Sequence, residues 1–147
     1  MNREKWIAIG RVIALWAIFG VLLALVPILF SAISEWIRGD SVGLSEVIGG
    51  GELLLVSAGI SAASLGELAR QRTDALSGVR AILTGVGIVT ILLAGLLFAD
   101  IAGSIRNDED IDAVRVATVS IVIFTISVVT AATAMVVAEV STWTSSR

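Results

Sequence analysis

Four long runs without a charged side chain divide this 147-residue chain: Val12 to Ser34, Leu53 to Gly66, Ala81 to Ala99 and Val116 to Ala138. An α-helix rises 1.5 Å per residue and the hydrocarbon core of a bilayer is about 30 Å thick, so roughly 20 apolar residues cross it. Three of the runs meet that length as they stand, and the second does so with its flanks. Hydrophobic residues make up 56% of the chain and Gly adds 14 residues more, well above the ~45 to 50% apolar share of ordinary globular domains. A backbone in lipid must satisfy its own polar groups, which a continuous apolar run achieves as a helix. The expected fold is therefore an all-α membrane protein: a single domain of four transmembrane helices over about 6–33, 47–69, 81–102 and 114–140.

The flanks of the first run fit this reading. Trp6 and Trp36 stand 30 residues apart, about 45 Å of helix, the separation of the two interfacial aromatic belts. Trp143 is placed to anchor the last span likewise. Pro27 lacks a backbone donor and predicts a bend near Leu23, a fault that neighbouring helices can satisfy in a membrane. The segment Met1 to Lys5 followed by an apolar stretch, with Ala32-Ile33-Ser34 as a nominal cleavage site, has the outline of a secretory signal. Its apolar part far exceeds the ~7 to 15 residues of a signal peptide, so it reads as an uncleaved first span.

The net charge of −3 hides a strong asymmetry. Arg3, Lys5, Arg11, Arg70, Arg72, Arg80 and Arg147 fall on one side of the expected membrane with only Glu4 and Asp74. The other side holds Arg38, Arg106 and Arg115 against Glu35, Asp40, Glu46, Asp100, Asp108, Glu109, Asp110 and Asp112. The positive-inside rule then puts both termini and the Arg70 to Arg80 loop in the cytoplasm, with the acidic loops outside. The expected location is a bacterial cytoplasmic membrane.

Missing residue types narrow the function. With no His and no Cys, the chain has no imidazole base, thiolate nucleophile, disulfide or Cys/His zinc site. Paired carboxylates are the remaining catalytic option. Glu52 and Glu67 stand 15 residues apart, about 22 Å along one helix, too far to share a substrate. Neither an enzyme nor a cofactor or metal protein is expected, and nothing points to binding of duplex nucleic acid. Gly85-Val86-Gly87-Ile88-Val89-Thr90 superficially suggests a nucleotide loop, but it follows no strand, lacks a third glycine and lies in an apolar span.

The second span concentrates the unusual residues. Ser57, Ser61 and Ser64 form a hydroxyl stripe at steps of four and three, while Glu52, Gly59, Ala63 and Gly66 form a second stripe at steps of seven, four and three. Small residues at such spacing let helices approach closely in lipid. The serines are candidates for lining an ion pathway or, more plainly, for bonding to backbone carbonyls. Glu52 has two placements. A helix beginning near Leu44 would bury it about 12 Å into the span. A chain broken at Gly49-Gly50-Gly51 would instead put it in a first helical turn, where the helix dipole favours a carboxylate. In the fourth span Thr118, Ser120, Thr125, Ser127, Thr130 and Thr133 read as interhelical contacts. Glu67 is spaced for an i,i+3 ion pair with Arg70, and Glu139 lies near the headgroup level.

Four short helices fill their own core, so a water-filled path requires several copies. The reading that follows is a homo-oligomer, a tetramer or larger, that conducts cations past Glu52, Ser57, Ser61 and Ser64, with Glu46 and the other outer acids as a vestibule. Gly59, Ala63 and Gly66 would pack helices. Arg70, Arg72 and Arg80 would form a basic collar for anionic lipid, or for a nucleotide that opens a depolarising pore, as in membrane effectors of bacterial defence systems. A rival reading is a proton-coupled exporter. The chain resembles small multidrug transporters in length and in having four spans, but their working carboxylate lies in the first span, and Val12 to Ser34 contains no acid. A third reading is a non-catalytic subunit of a membrane complex.

Overall fold

The computed structural model describes residues 49–70, 77–107 and 111–145, the side chains of the last segment as far as Val140, together with scattered positions between Gly10 and Ile37. Three long helices follow one another: α1 (Glu52–Arg70), α2 (Ser77–Arg106) and α3 (Ala113–Ser145). All three are long and apolar enough to cross a membrane. The described positions between Gly10 and Ile37 are helical too, and Ile18 and Leu22 lie in wider, π-type turns. Trp6, Leu23, Pro27 and Trp36, on which the expected bend and anchors of the first span depend, lie outside the described residues, as does the Trp143 side chain.

Both ends of α1 and the start of α3 have reasons in the sequence. At Gly51 the backbone turns through a φ of +86°, a left-handed conformation that costs a side-chain-bearing residue about 1 to 2 kcal/mol. A Cβ at Gly51 would also lie 3.3 Å from Phe98 Cδ2 and 3.5 Å from Ile101 Cδ1. The Gly51 carbonyl accepts from the Leu54 amide at 2.9 Å, and α1 starts with Glu52 in its first turn. At the other end Arg70 Nη2 meets Glu67 Oε1 at 3.0 Å, the i,i+3 pair expected from the sequence. Arg80, from the first turn of α2, donates Nη2 to the Leu68 carbonyl. That bond gives a carbonyl near the end of α1 an additional partner. Asp112 caps α3: its Oδ1 accepts from the Val114 amide at 3.1 Å and the Arg115 amide at 3.2 Å, the N2 and N3 donors that a helix start leaves free.

Contacts fix the directions. Gly51 lies against Phe98 and Ile101, and Gly87 against Leu65, so α1 and α2 are antiparallel. Leu54 shares a buried cluster with Ala94 and Ile123 and a cleft with Val116 and Val119, so α1 and α3 run parallel. α1 packs extensively on both other helices, which touch each other less. The charged residues on the three helices gather at two ends, with Glu52, Asp100, Arg106 and Arg115 at one and Glu67, Arg70, Arg80 and Glu139 at the other. The helices of 19, 30 and 33 residues are about 28, 45 and 50 Å long.

The bundle is inverted relative to a water-soluble one. Among the described residues the only large side chain that is fully buried is Leu54, and the other fully buried residues are small, among them Ser57, Ser61, Ser64, Ser120 and Ser127 and the alanines Ala94, Ala131 and Ala134. Large apolar side chains face outward: Ile82 is 67% and Leu96 69% exposed. In lipid there is no hydrophobic drive to hide such residues. Close packing of small ones and the satisfaction of hydroxyls hold the helices together instead.

Candidate functional site

The serine stripe of α1 faces the interior of the bundle. Ser57, Ser61 and Ser64 are all buried, and they face small or hydroxylated stripes on the other helices: Gly87, Thr90 and Ala94 on α2, and Ala117, Ser120, Ser127, Ala131, Ala134 and Ala138 on α3. At Gly87 the fit is tight enough that a Cβ would lie 3.0 Å from Leu65 Cδ2. Ser57 Oγ donates to the Leu53 carbonyl at 2.7 Å and Ser64 Oγ to the Ser61 carbonyl at 2.8 Å. Thr90 and Ser127 bond in the same way to Val86 and Ile123. Even the outward hydroxyls of Thr118, Thr125 and Thr133 return to a carbonyl four residues earlier, as a hydroxyl without water must. Two interior hydroxyls, Ser61 Oγ and Ser120 Oγ, have no hydrogen-bond partner among the described residues.

The second stripe points the other way. Glu52, Gly59, Ala63 and Gly66 are exposed, together with Leu55, Ala62 and Ala69. A Cβ added at Gly59 or Gly66 would meet nothing within 4 Å. One helix therefore carries two small-residue faces: the hydroxylated one is used within the chain, and the aliphatic one is left open.

The start of α1 decides between the two placements of Glu52: the carboxylate stands in the first turn. Its side chain folds back over Gly50, with Oε1 2.5 Å from the position that a Cβ there would occupy. Only a glycine admits the carboxylate in that position. Glu46 and Arg72 lie outside the described residues, as do Glu35, Asp40 and Asp108 to Asp110. Arg70 and Arg80 are both engaged at the opposite end, on Glu67 and the Leu68 carbonyl. The structure thus brings Arg70 and Arg80 to one end of the bundle and sets Glu52 at the other.

Reading the sequence did not single out a cleft at the Glu52 end. Its apolar walls are Leu54 of α1, Leu97 and Ile101 of α2, and Val116 and Val119 of α3. Asp100 and Arg115 complete the lining, around a volume of about 190 Å³. Asp100 sits near the end of α2, which runs on to Arg106, and Arg115 in the first turn of α3, which begins at Ala113. No local signal marks them as neighbours, because they come from different helices. Among the described residues no group of His, Cys, Asp and Glu could hold a metal ion. No protein family, curated protein or solved structure matches the chain.

Proposed function

We propose that the protein is a subunit of a homo-oligomeric membrane pore that conducts cations, with α1 nearest the axis. The observation that carries this reading is the open face of α1. Most outward positions of α2 and α3 are Leu, Ile, Val or Thr, suited to lipid, whereas α1 presents Gly59, Ala62, Ala63, Gly66 and Ala69 with open space beyond the two glycines. A face of that kind favours the close approach of another helix. The interior of the described bundle is filled by serines and alanines together with Leu53, Leu54, Ile60, Leu68 and Ile123, so a path for ions belongs between copies. Association of several α1 helices turns Glu52 into a ring of carboxylates at the mouth, the arrangement by which cation pores concentrate their ions. The buried serines then serve the pathway indirectly, by holding α1 against α2 and α3. Arg70, Arg72 and Arg80 remain the proposed contact for an anionic gating signal.

The chain has no native cysteine, so single-cysteine variants test this directly. Gly59→Cys and Gly66→Cys cross-link between copies in native membranes under mild oxidation, whereas Leu92→Cys and Leu96→Cys, on the lipid-facing side of α2, do not. In planar bilayers Glu52→Gln shifts the reversal potential toward that of a non-selective pore. Uniform cross-linking at all four positions would remove α1 from the axis. Selective cross-linking with silent bilayers, with and without an anionic activator, would favour a structural subunit over a pore. Joint replacement of Arg70, Arg72 and Arg80 abolishes any response to such an activator.

A further inference from the structure

The cleft at the Glu52 end stands apart from the open face of α1. Its floor and walls are aliphatic, and one acid and one base stand at its rim on different helices, Asp100 on α2 and Arg115 on α3. Arg115 engages Asp112 through Nε at 2.9 Å, and its terminal nitrogens meet no acceptor among the described residues. The Asp100 carboxylate has no hydrogen-bond or ion-pair partner there either. Both charges lie where the apolar belt of the bundle ends, since α1 starts at Glu52, two residues before Leu54. A volume of about 190 Å³ admits a short run of methylene groups and excludes a folded partner.

We propose that this cleft binds a phospholipid whose headgroup carries both a phosphate and an ammonium group, of the phosphatidylethanolamine type. The upper part of one acyl chain lies against Leu97, Ile101 and Val119, over the buried Leu54. Arg115 takes the phosphate, for which a guanidinium is the best-matched side chain, and Asp100 takes the ammonium. Charge complementarity selects this class over an anionic lipid. The charges on the helix ends and caps here are Glu52, Asp100 and Asp112 against Arg106 and Arg115, a surplus of negative charge that disfavours a headgroup without a cation. A bilayer also supplies this ligand at high local concentration at the level of the cleft. The site does not depend on the pore reading, because it is built within one chain.

The test uses the full chain purified in mild detergent, mixed with equal amounts of phosphatidylethanolamine and phosphatidylglycerol, and examined by native mass spectrometry. The wild type retains phosphatidylethanolamine in preference. Asp100→Asn lowers that preference by roughly tenfold, the equivalent of one charge-assisted contact, and Asp100→Glu restores it. Val119→Phe, at an exposed cleft position, expels the lipid while helical circular dichroism is unchanged. Equal retention of the two lipids, a preference indifferent to Asp100→Asn, or retention by Val119→Phe would each overturn the assignment. So would a wild type that retains neither lipid, since the cleft would then be covered by other protein.

Discussion

Gly51 and Gly59 are identical residues in opposite situations, and the difference can be measured. At Gly51 the φ of +86° and the nearness of Phe98 and Ile101 act together, so Gly51→Ala is expected to lower stability by about 1 to 2 kcal/mol from the backbone alone, and further if Phe98 must shift. Gly59→Ala, in open space on a helix, is expected to raise monomer stability by up to ~1 kcal/mol. Thermal unfolding of both variants in detergent, followed by circular dichroism, checks the pair, and equal effects would contradict the assignment. The buried serines give a second contrast. Ser61 Oγ has no partner among the described residues, and an unsatisfied buried hydroxyl costs about 1 to 3 kcal/mol. Ser61→Ala is therefore expected to be neutral or stabilising in the same assay. A loss of stability would show that the hydroxyl is satisfied across helices in the bilayer.

Among the helices, α3 is the one whose start depends most visibly on a side chain. Asp112 Oδ1 accepts from two free amides, and Oδ2 holds Arg115 at 2.9 Å. Asp112→Ala is expected to cost about 1 kcal/mol, typical for a lost cap, and to increase hydrogen exchange at Val114 and Arg115. Asp112→Asn keeps a capping oxygen and loses only an exposed ion pair, which contributes little, so its exchange should stay near the wild-type rate. The existence of these three long apolar helices was legible in the sequence because length and hydropathy are local properties. The expected spans 81–102 and 114–140 lie within α2 and α3, and the Glu67–Arg70 pair was readable from its spacing. The start of α1 was not, because two placements of Glu52 satisfied local rules equally. Packing of Gly51 against Phe98 and Ile101 accompanies the later start, and that contact joins residues about 50 positions apart.

At the scale of the molecule, burial shows what surrounds the bundle. A core built largely of serine and alanine, with few large side chains such as Leu54 and Ile60, beneath a surface of leucine, isoleucine and valine suits surroundings that are themselves apolar. Leu96→Arg, at a position 69% exposed, therefore tests the environment. In water such a change is almost free, whereas within a membrane span it carries a cost, below the about 2.5 to 3.5 kcal/mol of a central position because Leu96 lies about one turn from Asp100. The fraction of α2 integrated into membranes should fall measurably, with the wild type as reference, and unchanged integration would mean that Leu96 does not face lipid.

The sequence alone determined that these helices are long and apolar enough to cross a membrane and that their charges gather at the ends, because the transfer free energy of a side chain depends on its own chemistry and adds along the run. It also marked α1 as the helix with two small-residue faces. Which face turns inward was decided only by the tertiary structure. Ser57, Ser61 and Ser64 could have faced a pathway, and Gly59, Ala63 and Gly66 the neighbouring helices, with the same periodicity. The choice rests on the surfaces that α2 and α3 offer, Gly87 and Thr90 on one and Ser120 and Ser127 on the other. Asp100 and Arg115 share a rim for the same reason: their separation is set by how two helices pack and by nothing within either of them.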